Sequence, residues 1–175
     1  ASRDAIVQFL QELIRIPSVT GQEGEIQQFL AHALGESDLE VDVFEPDVET
    51  LRGEEGFVEP EIPFSGRPNV VGIWRGSGGG HSLVLNGHVD TVPVGPDEGC
   101  GEGPFSGSVK DGRVWGRGAS DMKSGVAAMA MAIRILRETG YRPAGDVILQ
   151  FVVDEERTGL GTLSCVQRGY VADAG

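Results

Sequence analysis

GVAAMAMAIRILRETGYRPAGDVILQFVVDEE, residues 125–156, is the stretch that decides the architecture. Val126, Met129, Ala130, Ile133 and Leu136 recur at helical spacing, which predicts a core-facing helix ending near Gly140. DVILQFVV (146–153) is then almost unbroken apolar, as suits a strand covered on both faces, and it discharges into Asp154, Glu155 and Glu156. Helix, buried strand and polar residues at the strand's carboxyl end form the unit of a layered α/β protein, in which ligands gather beyond the strand ends.

Upstream, Ile6, Phe9, Leu10, Leu13 and Ile14 mark an amphipathic helix that Pro17 stops. Thr20 with Glu23 reads as a capping box for a second helix, whose stripe of Ile26, Phe29, Leu30, Ala33 and Leu34 ends at Gly35. VDVF (41–44) predicts a strand, and the acidic, proline-bearing, aperiodic stretch 45–68 predicts a long loop to which no function attaches. NVVGIW (69–74) and SLVLN (82–86) are short strands joined by GSGGGH (76–81), and they are expected to be neighbours in the sheet. Asp111-Gly112 between alternating apolar residues is a hairpin turn, which makes Asp111 a turn residue and not a ligand. With a further helix around 161–169, the pattern predicts an α/β three-layer sandwich with a mixed, mostly parallel sheet.

At 175 residues the chain is about one domain long, with 39% apolar residues and no run near the ~18 needed to span a bilayer. Fourteen basic against 27 acidic residues give a net charge of −13, which repels polyanions and argues against nucleic acid as a partner. ASRDAIVQFL at the amino end lacks the basic-then-apolar character of an export signal, so the expected location is cytoplasmic. Cys100 and Cys165 stand far apart and in no C-x-x-C context, so neither a disulfide nor a thiolate metal site is expected.

The polar residues after the strands carry the candidate chemistry. His88 and Asp90 project to one side of an extended segment, so the carboxylate can orient one imidazole nitrogen while the other faces a metal; a surface His beside a turn Asp is the plain alternative. Asp121, within GRGASDMKSG (116–125), is either a helix N-cap or a ligand. Glu155 and Glu156 are either solvated or a pair of like charges beside a low-dielectric core, which calls for a cation. A histidine with carboxylates and no thiolate suits Zn²⁺, Mn²⁺ or Co²⁺, and hydrolysis is the chemistry that follows from such a site.

NGHVDTVP (86–93), GRGASDMKSG (116–125) and VDEERTGLGT (153–162), in this order and at these separations, resemble the three N-terminal motifs of the M20 metallopeptidases, the acetylornithine deacetylase and succinyl-diaminopimelate desuccinylase group. The resemblance implies a zinc-exopeptidase type of fold and two divalent metal ions, Zn²⁺ or alternatively Co²⁺ or Mn²⁺. It implies His88 as a ligand of one ion, Asp121 as the bridging carboxylate, Glu156 as a ligand of the second, Asp90 as the residue orienting His88, and Glu155 as the general base activating the bridging water. A cis peptide at Asp121-Met122 is implied as well. PFSG (104–107) and FVEPEIPFSGRPNVVG (57–72) are similar to a branch of deacylases that includes formyl-aminopyrimidine deformylase-like members.

The family supplies two further ligands, a carboxylate and a histidine, that match nothing in this chain. His32 and His81 fit no family position, and Asp173 is a weak substitute carboxylate. Residues 1–175 are therefore expected to be the amino-terminal part of a catalytic domain, without the family's lid and dimerisation domain. The full-length protein is expected to be a homodimer hydrolysing an N-acyl amino acid, an N-acyl diamine or a short peptide. The fragment alone is expected to bind metal weakly and turn over little.

A non-catalytic metal-binding or scaffold module is the rival reading from another class; it gives no reason for a non-ligating Glu155 beside Glu156. A phosphate loop ending in Lys123-Ser124 would need glycine at Arg117 and Met122, and no EF-hand loop is present. Between deacylase and di- or carboxypeptidase the chain does not decide.

Overall fold

The structure, a computed structural model, describes residues 3–95 and 102–175. Its helices are α1 (Arg3–Arg15), α2 (Gly24–Glu36), the short α3 (Val48–Leu51), α4 (Ser124–Glu138) and α5 (Leu160–Gln167). Its strands are β1 (Glu40–Phe44), β2 (Asn69–Trp74), β3 (Leu83–His88), β4 (Ser108–Lys110), β5 (Arg113–Trp115) and β6 (Val147–Val152). None of these helices is long and apolar enough to cross a membrane.

The larger sheet has the order β1-β2-β6-β3. Its apolar run places β6 inside, with Leu149, Phe151 and Val152 fully buried. On one face Phe9 and Leu13 of α1, Ile26, Leu30 and Leu34 of α2, and Val126, Ala130 and Ile133 of α4 pack against Val70, Trp74, Leu149 and Phe151. The other face carries Val71, Ile148 and Val152, covered by Cys165 of α5. Three layers result, as expected. Gly161 permits the last contact: a Cβ there would lie 2.1 Å from the carbonyl oxygen of Val153, so only glycine lets α5 come down on the end of β6.

Several expectations need correction. The sheet is mixed, but of the strand pairings that build it among the described residues β3–β6 is parallel, while β1–β2 and β2–β6 are antiparallel. β2 and β3 are not neighbours, because β6 lies between them. A strand that must bury both faces gains most in the centre, and the α4 crossover brings β6 back parallel to β3. The glycine-rich link therefore makes no hairpin, and Ser77 and Gly78 instead donate to the carbonyls of Pro143 and Ala144.

The capping box does not form either, since Thr20 and Glu23 have other partners described below and α2 has no side-chain cap. Gly35 lies inside the last turn of α2; the left-handed exit is taken by Asp38, at φ 55°, and Leu39 N–H closes onto the Leu34 carbonyl. The stretch 45–68 is more than a loop, since it contains α3 and sends Leu51 and Phe64 into the core. The hairpin stands as expected, with Asp111 at φ 53° and Gly112 at φ 73°, but β4 and β5 form a sheet of their own.

Cys100 falls outside the described residues. Cys165 is a free, buried thiol, and burial pushes its pKa up to about 12 against a hydrogen bond from Asn69. Reactivity follows the thiolate, and a thiol raised this far is almost wholly protonated at pH 8. The peptide holding Cys165 should thus stay unlabelled by iodoacetamide at pH 8 in the folded protein and become labelled in urea, as read by peptide mass mapping. Rapid native labelling would show that α5 does not seal that face.

Candidate metal centre

Because β3 and β6 run parallel with His88 opposite Val152, both strands deliver their next residues to one rim of the sheet. His88 closes β3 and is nearly buried. Its Nδ1 lies 3.0 Å from the Asp90 carbonyl oxygen and 3.5 Å from Asp90 Oδ1. The backbone carbonyl is thus the nearer orienter, with the carboxylate beside it. With Nδ1–H donated there, Nε2 is left facing outward, 2.9 Å from Asp121 Oδ1 and 3.5 Å from Glu155 Oε2.

Asp121 comes to this place on the turn 119–123 that leads into α4. Its peptide to Met122 is cis, the geometry that the resemblance implies. Asp121 is not the N-cap of α4; that position belongs to Lys123, and the Asp121 side chain is 75% exposed on the side of His88. Two contacts seat the turn. Gly87 leaves room for Met122 and Met129 over β3, where a Cβ would come within 2.6 Å of Met129 Cε and 3.0 Å of Met122 Cε. Lys123, fully buried, donates from Nζ to the carbonyls of Leu13 (2.9 Å) and Ile16 (2.8 Å), at the carboxyl end of α1. Burial pushes its pKa down to about 7, and a neutral amine still has N–H groups for both carbonyls.

Asp90 is the hub of the site. It is fully buried, and its Oδ1 accepts the Glu155 backbone N–H at 3.1 Å. Its Oδ2 accepts the Thr20 hydroxyl at 2.8 Å and the Glu156 N–H at 3.2 Å. The buried carboxylate therefore fixes the backbone of the two acids on the next strand end as well as standing beside His88. Burial opposes its charge, but hydrogen bonds from His88, Thr20 and the two N–H groups outweigh this and hold its pKa below the ordinary value. Burial likewise opposes charge on His88, yet the carboxylates of Asp90 and Asp121 lift its pKa to about 9. Glu156 is raised by burial and, against the pull of His88, by Asp121, Asp90 and Glu155.

One ligand atom each from His88, Asp121 and Glu156 lies within 4.8 Å of the others. The structure thus gathers the three residues singled out as ligands, with Glu155 beside them. Four carboxylates facing one imidazole leave an excess of negative charge, and the donor set of nitrogen and oxygen atoms suits a divalent cation. The other candidates stand elsewhere. His32 pairs with Glu36 on the exposed face of α2, and His81 is exposed near Asp173. Asp173 accepts from Ser82 at the opposite end of β3, which removes it as a substitute ligand.

Sequence reasoning missed Thr20, Glu23, Arg67 and Asp154. Arg67 is buried between Glu23 and Asp154, with Nε to Glu23 Oε2 and Nη2 to Asp154 Oδ1 both at 2.7 Å. The available signal was a cation two residues before the apolar NVVGIW run, in an acid-rich stretch whose other cation is Arg52.

The profile of peptidase family M20/M25/M40 matches residues 84–174, just over half of the chain. Among curated relatives, the N-formyl-4-amino-5-aminomethyl-2-methylpyrimidine deformylase of Bacillus subtilis (strain 168) is 46% identical over 112 residues, covering 63% of this chain and 26% of the relative. A succinyl-diaminopimelate desuccinylase of Cereibacter sphaeroides is 38% identical over 146 residues, covering 83% of this chain and 33% of the relative. The chain thus spans about a quarter to a third of the length of these relatives. Among solved structures, human carnosine dipeptidase 1 superposes with a TM-score of 0.74 at 21% identity over 94% of this chain and 35% of that one, a likeness of fold.

Proposed function

Since the chain belongs to peptidase family M20/M25/M40, we propose that it is the amino-terminal part of the catalytic domain of a metal-dependent amidohydrolase that cleaves an N-acyl amino acid or N-acyl diamine. The observation that carries this reading is the approach of His88, Asp121 and Glu156 ligand atoms to within 4.8 Å of one another. Three donors, two of them carboxylates, gathered this closely form a set that a shared divalent cation would stabilise.

The residues fit a divalent metal, Zn²⁺ first and Co²⁺ or Mn²⁺ next. His88 Nε2, Asp121 and Glu156 would hold it, and by the family resemblance Asp121 would be the carboxylate shared if two ions bind. Bound there, the ions supply Lewis-acid polarisation of an amide carbonyl and acidification of water. Glu155, half exposed beside His88 Nε2 and outside the ligand trio, takes the proton from the attacking water and returns it to the departing nitrogen. Asp90 keeps the imidazole turned and the two glutamates in register.

Deacylation is favoured over peptide cleavage because the two curated relatives above are named as a deformylase and a desuccinylase. The same reading extends to a homodimeric full-length protein with a separate lid domain, which size-exclusion chromatography and limited proteolysis would check. The decisive experiment is metal analysis of the full-length protein, joined to assays with N-formyl, N-acetyl, N-succinyl and dipeptide substrates. Release of amine that stops on chelation and returns with Zn²⁺ or Co²⁺ is the expected result. Hydrolysis indifferent to chelators would sink the reading.

A further inference from the structure

The segment between β1 and β2 ends in Arg67-Pro68 and β2 opens on Asn69, and the side chains of Arg67 and Asn69 both reach the chain around Glu155 and Glu156. Arg67 is 3% exposed, and every N–H of its guanidinium is used. Nε and Nη2 donate to Glu23 at 2.7 Å each, Nη2 donates also to Asp154 Oδ1 at 2.7 Å, and Nη1 donates to the carbonyls of Ile62 (3.2 Å) and Pro63 (3.3 Å).

Asp154 directly precedes Glu155 and sits at φ 66°, a left-handed conformation that a non-glycine residue keeps only when its surroundings hold it. Its carbonyl accepts the N–H groups of Arg157, Thr158 and Gly159, so the turn bearing Glu155 and Glu156 winds around it. Thr158 also donates its hydroxyl to the Asp154 carboxylate. Asn69 holds the flanks: its Oδ1 accepts Val153 N–H at 3.1 Å and its Nδ2 donates to the Gly161 carbonyl at 2.7 Å. Without the guanidinium, the buried carboxylates of Glu23 and Asp154 would face each other as unpaired like charges in a low dielectric. Asp154 would then swing away and take the acidic turn with it.

We infer that Arg67 is a positioning residue of the metal centre: acting through Asp154, its guanidinium sets where Glu156 stands relative to His88 and Asp121, and so sets metal affinity. The metal part of this inference rests on the function proposed above; the positioning part does not.

The test uses the full-length protein with Arg67→Lys, which keeps the charge but loses the planar fork. Thr158→Val is a milder second variant, and Arg75→Lys is the control, because Arg75 makes an exposed ion pair with Glu40 and Asp146 at the far end of the sheet. Hydrogen exchange without metal should show residues 154–159 opening at least tenfold faster in Arg67→Lys, less so in Thr158→Val, with α4 and β2 unchanged. Titration with Co²⁺, followed by its visible absorption, should show at least tenfold weaker binding and an altered band for Arg67→Lys, and no change for Arg75→Lys. Wild-type exchange in 154–159 with Co²⁺ affinity within twofold would overturn the inference, as would equal loss of protection in every element. A wild-type protein that takes up no Co²⁺ would sink the metal reading instead, while the exchange measurement still decides whether Arg67 holds the turn.

Discussion

If Glu155 is the general base proposed above, Glu155→Gln in the full-length protein should lower kcat by about 10²–10⁴-fold, the range a positioned general base contributes, while leaving metal content unchanged. The physical reason is the division of labour between two adjacent acids. Glu156 supplies an atom to the cluster gathered within 4.8 Å, whereas Glu155, half exposed, comes to 3.5 Å from His88 Nε2. Glutamine keeps the size of the side chain and the backbone N–H that donates to Asp90, so neither fold nor turn should move. Only the capacity to accept a proton is lost. Glu156→Gln is the matching contrast, because it should reduce kcat together with bound metal. Kinetics and metal stoichiometry measured on the same preparations separate the two; a Glu155→Gln protein that loses metal in proportion to activity would make Glu155 a ligand and leave the base unassigned.

Asp90→Ala should be the most destabilising single change at the site, by about 3–5 kcal/mol, the usual cost of removing one member of a buried charged pair. It strips the acceptor from the buried Thr20 hydroxyl and from the partly buried N–H groups of Glu155 and Glu156. The same loss should weaken metal binding by about 10–100-fold, as expected when a partner that orients a ligand is removed. The pH dependence has a definite sign. The folded pKa of Asp90 lies below its unfolded value of about 3.9. Its stabilisation is therefore complete above that pH and disappears as pH falls through the folded value. Urea unfolding from pH 7 down to pH 2 should show the full gap between wild type and Asp90→Ala at neutral pH, narrowing below about pH 4. A gap that stays constant throughout would mean that Asp90 acts through shape and not through charge.

Much of the fold was legible because the signals are local. The stripe on α1, the apolar run of β6 and the Asp-Gly turn each depend on residues a few positions apart, and the structure places all three where the spacing predicts. The errors share one origin. Thr20 and Glu23 have the spacing of a capping box, yet a buried Asp90 and a buried Arg67 compete for the same side chains, and charged hydrogen bonds in a low dielectric outweigh a helix cap. SLVLN and NVVGIW look like neighbours because they are consecutive, but the central place goes to the strand with the most apolar surface to bury.

The site divides in the same way. From sequence alone came the residue types, their order and their placement just after strands and before a helix: local context made His88, Asp90, Asp121, Glu155 and Glu156 candidates, and the motif resemblance implied their roles. Tertiary structure alone decided that they meet, that the Asp90 carbonyl lies nearer to His88 than its carboxylate does, and that Arg67 braces the acidic turn from a stretch with no legible role. Periodicity records which way a side chain faces along its own element. Convergence of His88 with a residue 33 positions away depends instead on the parallel register of β3 with β6 and on the seat that Gly87, Met122 and Lys123 make for the turn, and those are contacts between elements that no local pattern encodes.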